Sequence, residues 1–240
     1  MDIDVREVRE SIKNNGFYTF QTHETIVLAT NAKREYLDLM PAFQIHAMGE
    51  SFSRDQIKEG PWRKLAISSV NGLGESYAQF LLTTYFPETS ITTPNINRFF
   101  DYLINLRNAV LELDDEFGSW DSDEKFWNAS RIHHYPQGGG FMVEHSDTHF
   151  PKILSQSQIP FLQVMGLMSS RESDFEKGGG FISKANGDRV FFEDQHSTGK
   201  IVLFDGGIRH GVADIDSDKI LDFQSKSGRI AAFVNLYEKR

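Results

Sequence analysis

The hydrophobic pattern changes period near Ser130, and this change constrains the fold more than any other feature of the chain. From there on, apolar residues favour every second position in eight short runs: 130–136, 141–147, 160–168, 180–185, 189–193, 200–205, 209–214 and 229–237. Period two puts alternate side chains on opposite faces of an extended strand. Eight short strands separated by glycine-rich or polar turns predict a β-sandwich or barrel. The two echoing runs Gly138-Gly139-Gly140-Phe141 and Gly178-Gly179-Gly180-Phe181 read as turns leading into strands. Neither has the spacing, or the following Lys-Ser/Thr, of a phosphate-cradling loop.

Up to about Trp127 the texture is mostly helical. Val5, Val8 and Ile12 share one helix face, Asn14-Asn15-Gly16 supplies a left-handed stop, and Phe17–Phe20 reads as a short strand. Residues 31–40 read as a second helix, and residues 74–85 as another. Residues 41–72 are broken by Gly49, Gly60 and Pro61. The clearest helix follows Thr93-Pro94, an N-cap and first-turn pair. Ile96, Phe99, Phe100, Leu103, Leu106, Val110 and Leu113 form its apolar stripe, with Arg107 at the edge and Gly118 as its end. Such a stripe is expected to pack against a sheet or helix. No linker or repeat divides the chain. One domain over residues 1–240 is expected, with a helical N-terminal and cap region (1–129) and a β core (130–237).

Composition narrows the partners. The 240 residues are 39% apolar and include 20 Phe, enough for a real core. The formal charge of −9 disfavours nucleic acid and anionic membranes as partners. The absence of Cys excludes disulfides, thiolate metal sites and thiol nucleophiles. Met1-Asp2-Ile3-Asp4 does not begin a signal peptide, and no apolar run nears the ~20 residues of a membrane span. A soluble, cytoplasmic protein is expected.

His145 and Asp147 lie two apart at the end of the second β run, so a strand points both to one face. His210 stands 63 residues after Asp147, at the start of a predicted strand that a double sheet can return beside the first. Two imidazoles and one carboxylate make the facial set of non-haem Fe(II) oxygenases, which leaves three coordination positions open. A closed zinc site takes four ligands, often including Cys. The His-x-Asp triplet alone is weak, and a lone His is more often a surface or core residue. Arg229 adds weight: placed inward at the start of the last run, it needs a carboxylate partner, which its planar fork suits. A plainer reading is a salt bridge to a protein acid, or an outward position.

In these parts the chain resembles the Fe(II)/2-oxoglutarate-dependent oxygenase superfamily, nearest its prolyl-hydroxylase-like branch, over about residues 130–237. The resemblance rests on Ile132-His133-His134-Tyr135-Pro136-Gln137-Gly138, His145-x-Asp147, Gly179-Gly180-Phe181, Gly199–Phe204, His210-Gly211-Val212 and Gly228-Arg229-Ile230. It implies a mainly β fold with α, a double-stranded β-helix (jelly-roll) core buttressed by N-terminal helices. Fe(II) would bind His145, Asp147 and His210. The cosubstrate 2-oxoglutarate would chelate the iron and meet Arg229, with Tyr135 as a hydrogen-bond donor. Dioxygen would complete a hydroxylation that releases succinate and CO2. Retention of Asp147 points to hydroxylation, desaturation or another oxidation, because related halogenases carry a small residue there. The 19 residues from His210 to Arg229 exceed the family's usual spacing and predict an inserted polar turn between Asp214 and Ser227. Arg209, beside His210, should face away.

Arg131, His133 and Asn235 share inward faces and are the candidate substrate residues; each also reads plainly as a solvated or strand-end residue. Residues 41–92, including Trp62 and Arg63, are the candidate cap. An acidic chain with a compact cap suits a small molecule such as an amino acid or natural-product intermediate, with a peptidyl side chain second. Oligomeric state is left open. A cupin-like metal-dependent isomerase and a catalytically silent binding barrel are the rivals. A cupin needs a further His; His149 follows His145 by four, but Phe150-Pro151 marks the strand's end.

Overall fold

The computed structural model describes residues 3–47, 50, 53–68 and 78–239. Its elements begin with α1 (Val5–Asn15), β1 (Phe17–Phe20) and α2 (His23–Leu39), followed by a single 3-10 turn at Met40–Ala42. Next come β2 (Ile45–His46), α3 (Arg54–Lys58), β3 (Trp62–Ser68), β4 (Gln79–Tyr85) and α4 (Pro94–Leu111). The remainder is β5 (Phe126–Pro136), β6 (Gly140–His145), α5 (His149–Ser155), β7 (Leu162–Leu167), β8 (Gly179–Ser183), β9 (Arg189–Phe191), β10 (Ile201–Asp205), β11 (His210–Ile215) and β12 (Gly228–Glu238).

The strands join in the order β1-β10-β7-β12-β5-β4-β6-β11-β8-β9, and every pair along this path is antiparallel. Strands β5 to β12 divide between the two halves of this path: β5, β7, β10 and β12 lie in one, β6, β8, β9 and β11 in the other. Curled on itself, this arrangement is the double-stranded β-helix. The eight period-two runs correspond to these eight strands.

The helices cover one outer face. Ile132, Ile230, Ala232, Val234, Val164, Ile201 and Leu203 face outward from the sheet into a core shared with Val8, Ala29, Tyr36, Phe99, Leu103 and Leu106. α1 stops at Gly16, whose φ of +83° is the left-handed conformation that glycine adopts without a Cβ clash. The inner face carries a second apolar cluster, with Met165, Leu167, Phe192, Val202, Phe204 and Phe233. Among the described residues no helix is long and apolar enough to cross a membrane.

Several readings change, among them the second helix, read as 31–40, which starts at His23. Residues 79–85, expected within a helix over 74–85, form β4; residues 74–77 lie outside the described residues. Phe80–Tyr85 is a continuous apolar and β-branched run, buried on both faces from Leu81 on, for which periodicity cannot separate strand from helix. α4 ends at Leu111, well before Gly118, because Glu112 takes the left-handed cap position at φ 55°. Trp62 and Arg63 are not lid residues. Trp62 packs against Tyr85 and stacks on His46 at 4.7 Å, and Arg63 is buried with Nη1 donating to the Met40 carbonyl at 3.1 Å. β3 pairs with β4 along its whole length, which makes both residues part of the wall.

Candidate metal centre and cosubstrate pocket

β6 and β11 are antiparallel neighbours, and their register sets His210 directly opposite His145. The imidazole centroids are 4.4 Å apart. Asp147 lies two residues past His145, its backbone N–H held by the Gly206 carbonyl at 3.2 Å. Its carboxylate faces both rings, with His145 Nε2 at 3.8 Å and His210 Nε2 at 3.7 Å. One ligand atom from each residue lies within 4.8 Å of the other two, the geometry of a metal site.

The tautomers are set by the backbone. His145 Nδ1 is 2.8 Å from the Val143 carbonyl, and His210 Nδ1 is 2.8 Å from the Ile208 carbonyl. A carbonyl only accepts, so each Nδ1 carries a proton and each Nε2 is the nitrogen left to coordinate a cation. Gln163, inward on β7, donates Nε2–H to Asp147 Oδ2 at 2.8 Å and restrains the carboxylate. This donor set fits a divalent cation of the kind bound by two imidazoles and a carboxylate.

A polar chain continues from Gln163. With the Asn235 amide oriented by its hydrogen bonds, its N–H donates to Gln163 Oε1 at 3.0 Å and its oxygen accepts from Arg131 Nη2 at 3.3 Å. Arg131 Nε donates to His133 Nε2 at 3.0 Å, and the guanidinium lies over Phe233 and Tyr237 at 5.5 and 5.7 Å. Burial holds the His133 pKa well below its usual range, and the charges of Arg131 and Arg229 add to this. Neutral His133 accepts at Nε2 and therefore carries its proton on Nδ1, 3.4 Å from the Tyr135 hydroxyl. The Tyr135 O–H is then left to donate elsewhere. Burial pushes its pKa up to about 12, so it keeps that proton.

Arg229, the second residue of β12, lies opposite Tyr135 and is 1% exposed. Its guanidinium lies over the Tyr135 ring at 5.3 Å. Nε donates to Glu193, which is itself buried and accepts the Gly180 N–H at 2.8 Å. Nη1 is buried without a hydrogen-bond partner. That orphaned donor fits an acceptor group arriving from inside the barrel. Gly180 makes the space, since a Cβ there would lie 2.5 Å from Arg229 Nη2.

The structure thus brings His145, Asp147 and His210 together, and joins Arg131, His133, Tyr135 and Asn235 to them through Gln163. Arg229 lies at the Tyr135 end of this face. Arg209 faces outward and pairs with Glu144 at 2.7 Å, as strand parity predicts. A coil follows β11 over residues 216–227, where the long spacing predicts a polar turn. Gln163 and Glu193 were not singled out in the sequence. The available signals were their positions in predicted strands: Gln163 shares the parity of Met165 and Leu167, and Glu193 ends the run 189–193.

No family model and no curated protein matches the chain. Solved structures do. A prolyl hydroxylase from Trichoplax adhaerens, in complex with a hypoxia inducible factor oxygen degradation domain peptide fragment, aligns with a TM-score of 0.58 at 12% identity, over 98% of this chain and 89% of that one. A Pseudomonas putida prolyl-4-hydroxylase aligns at 0.55 and 13% identity, over 99% and 100% of the two chains. The non-haem alpha-ketoglutarate-dependent epimerase SnoN from nogalamycin biosynthesis aligns at 0.52 and 7% identity, over 98% and 82%. The chain therefore has the double-stranded β-helix fold of the 2-oxoglutarate- and iron(II)-dependent oxygenases, prolyl hydroxylases among them.

Proposed function

We propose that the chain is an Fe(II)- and 2-oxoglutarate-dependent dioxygenase, one domain over residues 1–240. It hydroxylates an unactivated C–H of a small molecule, such as an amino acid or natural-product intermediate, and releases succinate and CO2. The observation that carries this reading is the convergence of the His145, Asp147 and His210 donor atoms inside a barrel, with both imidazole Nε2 atoms aimed inward. Fe(II), when bound with 2-oxoglutarate, supplies the dioxygen chemistry.

The protein's own groups do the rest. His145, Asp147 and His210 would hold the metal. Gln163 keeps the Asp147 carboxylate in place. Tyr135 and Arg229 offer an O–H and an N–H to the cosubstrate. Arg131, His133 and Asn235 orient the substrate, and Met165, Phe204 and Phe233 exclude water. His145 and Asp147 are 9% and 7% exposed, which favours a substrate small enough to enter the barrel.

A peptidyl side chain is the second reading. A groove of about 1080 Å³ runs past Phe17, Thr19, Ser183, Lys184 and Arg209, beside the strands that carry both histidines. It would seat an extended segment.

Anaerobic titration with Fe(II) and 2-oxoglutarate tests the proposal. A weak visible charge-transfer band is expected only when both are present, and it should vanish in His145→Ala and His210→Ala proteins that retain native circular dichroism. Absence of the band in the wild type would favour the isomerase or the binding barrel. Succinate release across a panel of amino acids and peptides then separates the two substrate classes.

A further inference from the structure

Arg229 enters the pocket already engaged. A guanidinium has one edge formed by Nε and one Nη, and an end formed by both Nη groups. Glu193 takes Nε, and Glu193 is fixed in turn by the Gly180 N–H at 2.8 Å. Nη2 contacts Met165 Sδ at 3.3 Å, and Nη1 alone lacks a partner. Both members of the pair are shielded from water, with side chains 1% and 0% exposed. Their opposite charges therefore cancel where water does not screen them. Arg171 faces Glu193 across Gly179, but it is partly exposed and spends Nη2 on the Gly178 carbonyl.

We infer that Glu193 sets the cosubstrate selectivity of this protein, by neutralising Arg229 and leaving only its Nη1 amino group for the tail of the 2-oxo acid. The inference rests on the oxygenase reading above. At Arg229 a carboxylate tail meets the Nη1 amino group of a guanidinium already paired with a buried carboxylate, so its charge gains little over an uncharged tail. Specificity is a difference of affinities, and a neutral pair removes most of the difference between a charged and an uncharged tail. The triple glycine has a part in this: Gly180 leaves room for the guanidinium and supplies the N–H that holds Glu193.

The test is calorimetric binding of two 2-oxo acids to Mn(II)-loaded protein: 2-oxoglutarate, and 2-oxopentanoate, which keeps the chelating end but lacks the distal carboxylate. The wild type is expected to bind them within about tenfold of each other. Glu193→Gln, which keeps the shape and removes the charge, is expected to widen the ratio about tenfold or more, through tighter binding of 2-oxoglutarate. A wild-type preference for 2-oxoglutarate above tenfold, or an unchanged ratio in folded Glu193→Gln, would overturn the inference while leaving the oxygenase reading intact. Binding of neither acid would overturn both. The wild-type ratio decides even if the variant does not fold.

Discussion

His133 and His134 are adjacent on β5 but belong to different compartments. His133 faces into the barrel beside Arg131 and Tyr135, whereas His134 packs edge-on to Tyr36 of α2 at 6.1 Å and is 0% exposed. The His134 Nε2 lies 3.1 Å from the Ser227 carbonyl, a bond the neutral ring can make. Burial lowers its pKa to about 4. The unfolded ring, near 6.5, takes up its proton as pH falls through 6.5, while the folded ring stays neutral until about 4. Acidification across that window therefore favours the unfolded chain, and His134 contributes a loss of about 3 kcal/mol. Urea unfolding at pH 7, 5.5 and 4.5 should show a smaller loss in His134→Gln than in the wild type. Equal losses would mean that His134 is not buried as a neutral ring.

α4 shows how one element completes another. Its cap residue, Thr93, makes no capping bond to the backbone and instead donates to Asn97 Oδ1 at 2.7 Å. The free amides of the first turn go to Glu35 of α2, whose carboxylate accepts from the Asn95 and Ile96 N–H groups at 3.0 and 2.8 Å. A carboxylate at a helix N-terminus both satisfies these donors and opposes the positive end of the helix dipole. Glu35→Ala should destabilise the protein by about 1–2 kcal/mol, read as a lower denaturation midpoint with an unchanged slope. At the other end Arg107, expected at the edge of the stripe, is fully buried. It donates to Asn108 and Asn128 Oδ1, each at 2.7 Å, and anchors the loop after the helix to β5. Its neighbourhood holds it to a pKa of about 9, by burial.

On the scale of the whole molecule, the candidate metal site is also a clasp. Its ligands lie at the end of β6 and the start of β11, far apart in sequence and opposite each other in register. A cation bound there stabilises the folded chain by mass action, about 2.7 kcal/mol at one hundred times its dissociation constant. For a chain of 240 residues this corresponds to roughly 5–10 °C in Tm. Scanning calorimetry with and without Mn(II) should show that rise in the wild type and none in His210→Ala. An equal rise in both would place the bound cation elsewhere.

The eight strands, α1 and α4 were legible because each depends on a local pattern: period two, period 3.6, a glycine stop or a proline start. The convergence of the candidate metal ligands was legible because two lie two residues apart and the third opens a strand. Other features depend on partners remote in sequence. Phe80–Tyr85 is a strand because β3, β5 and β6 flank it, and its own residues suit either conformation. Gln163 reaches Asp147 across the barrel, and Glu193 reaches Arg229 across 36 residues of chain. An inward Arg announces its need for a carboxylate in the sequence. Which carboxylate answers is decided by closure of the sheet, since only the closed barrel removes water and makes the nearest buried acid its partner.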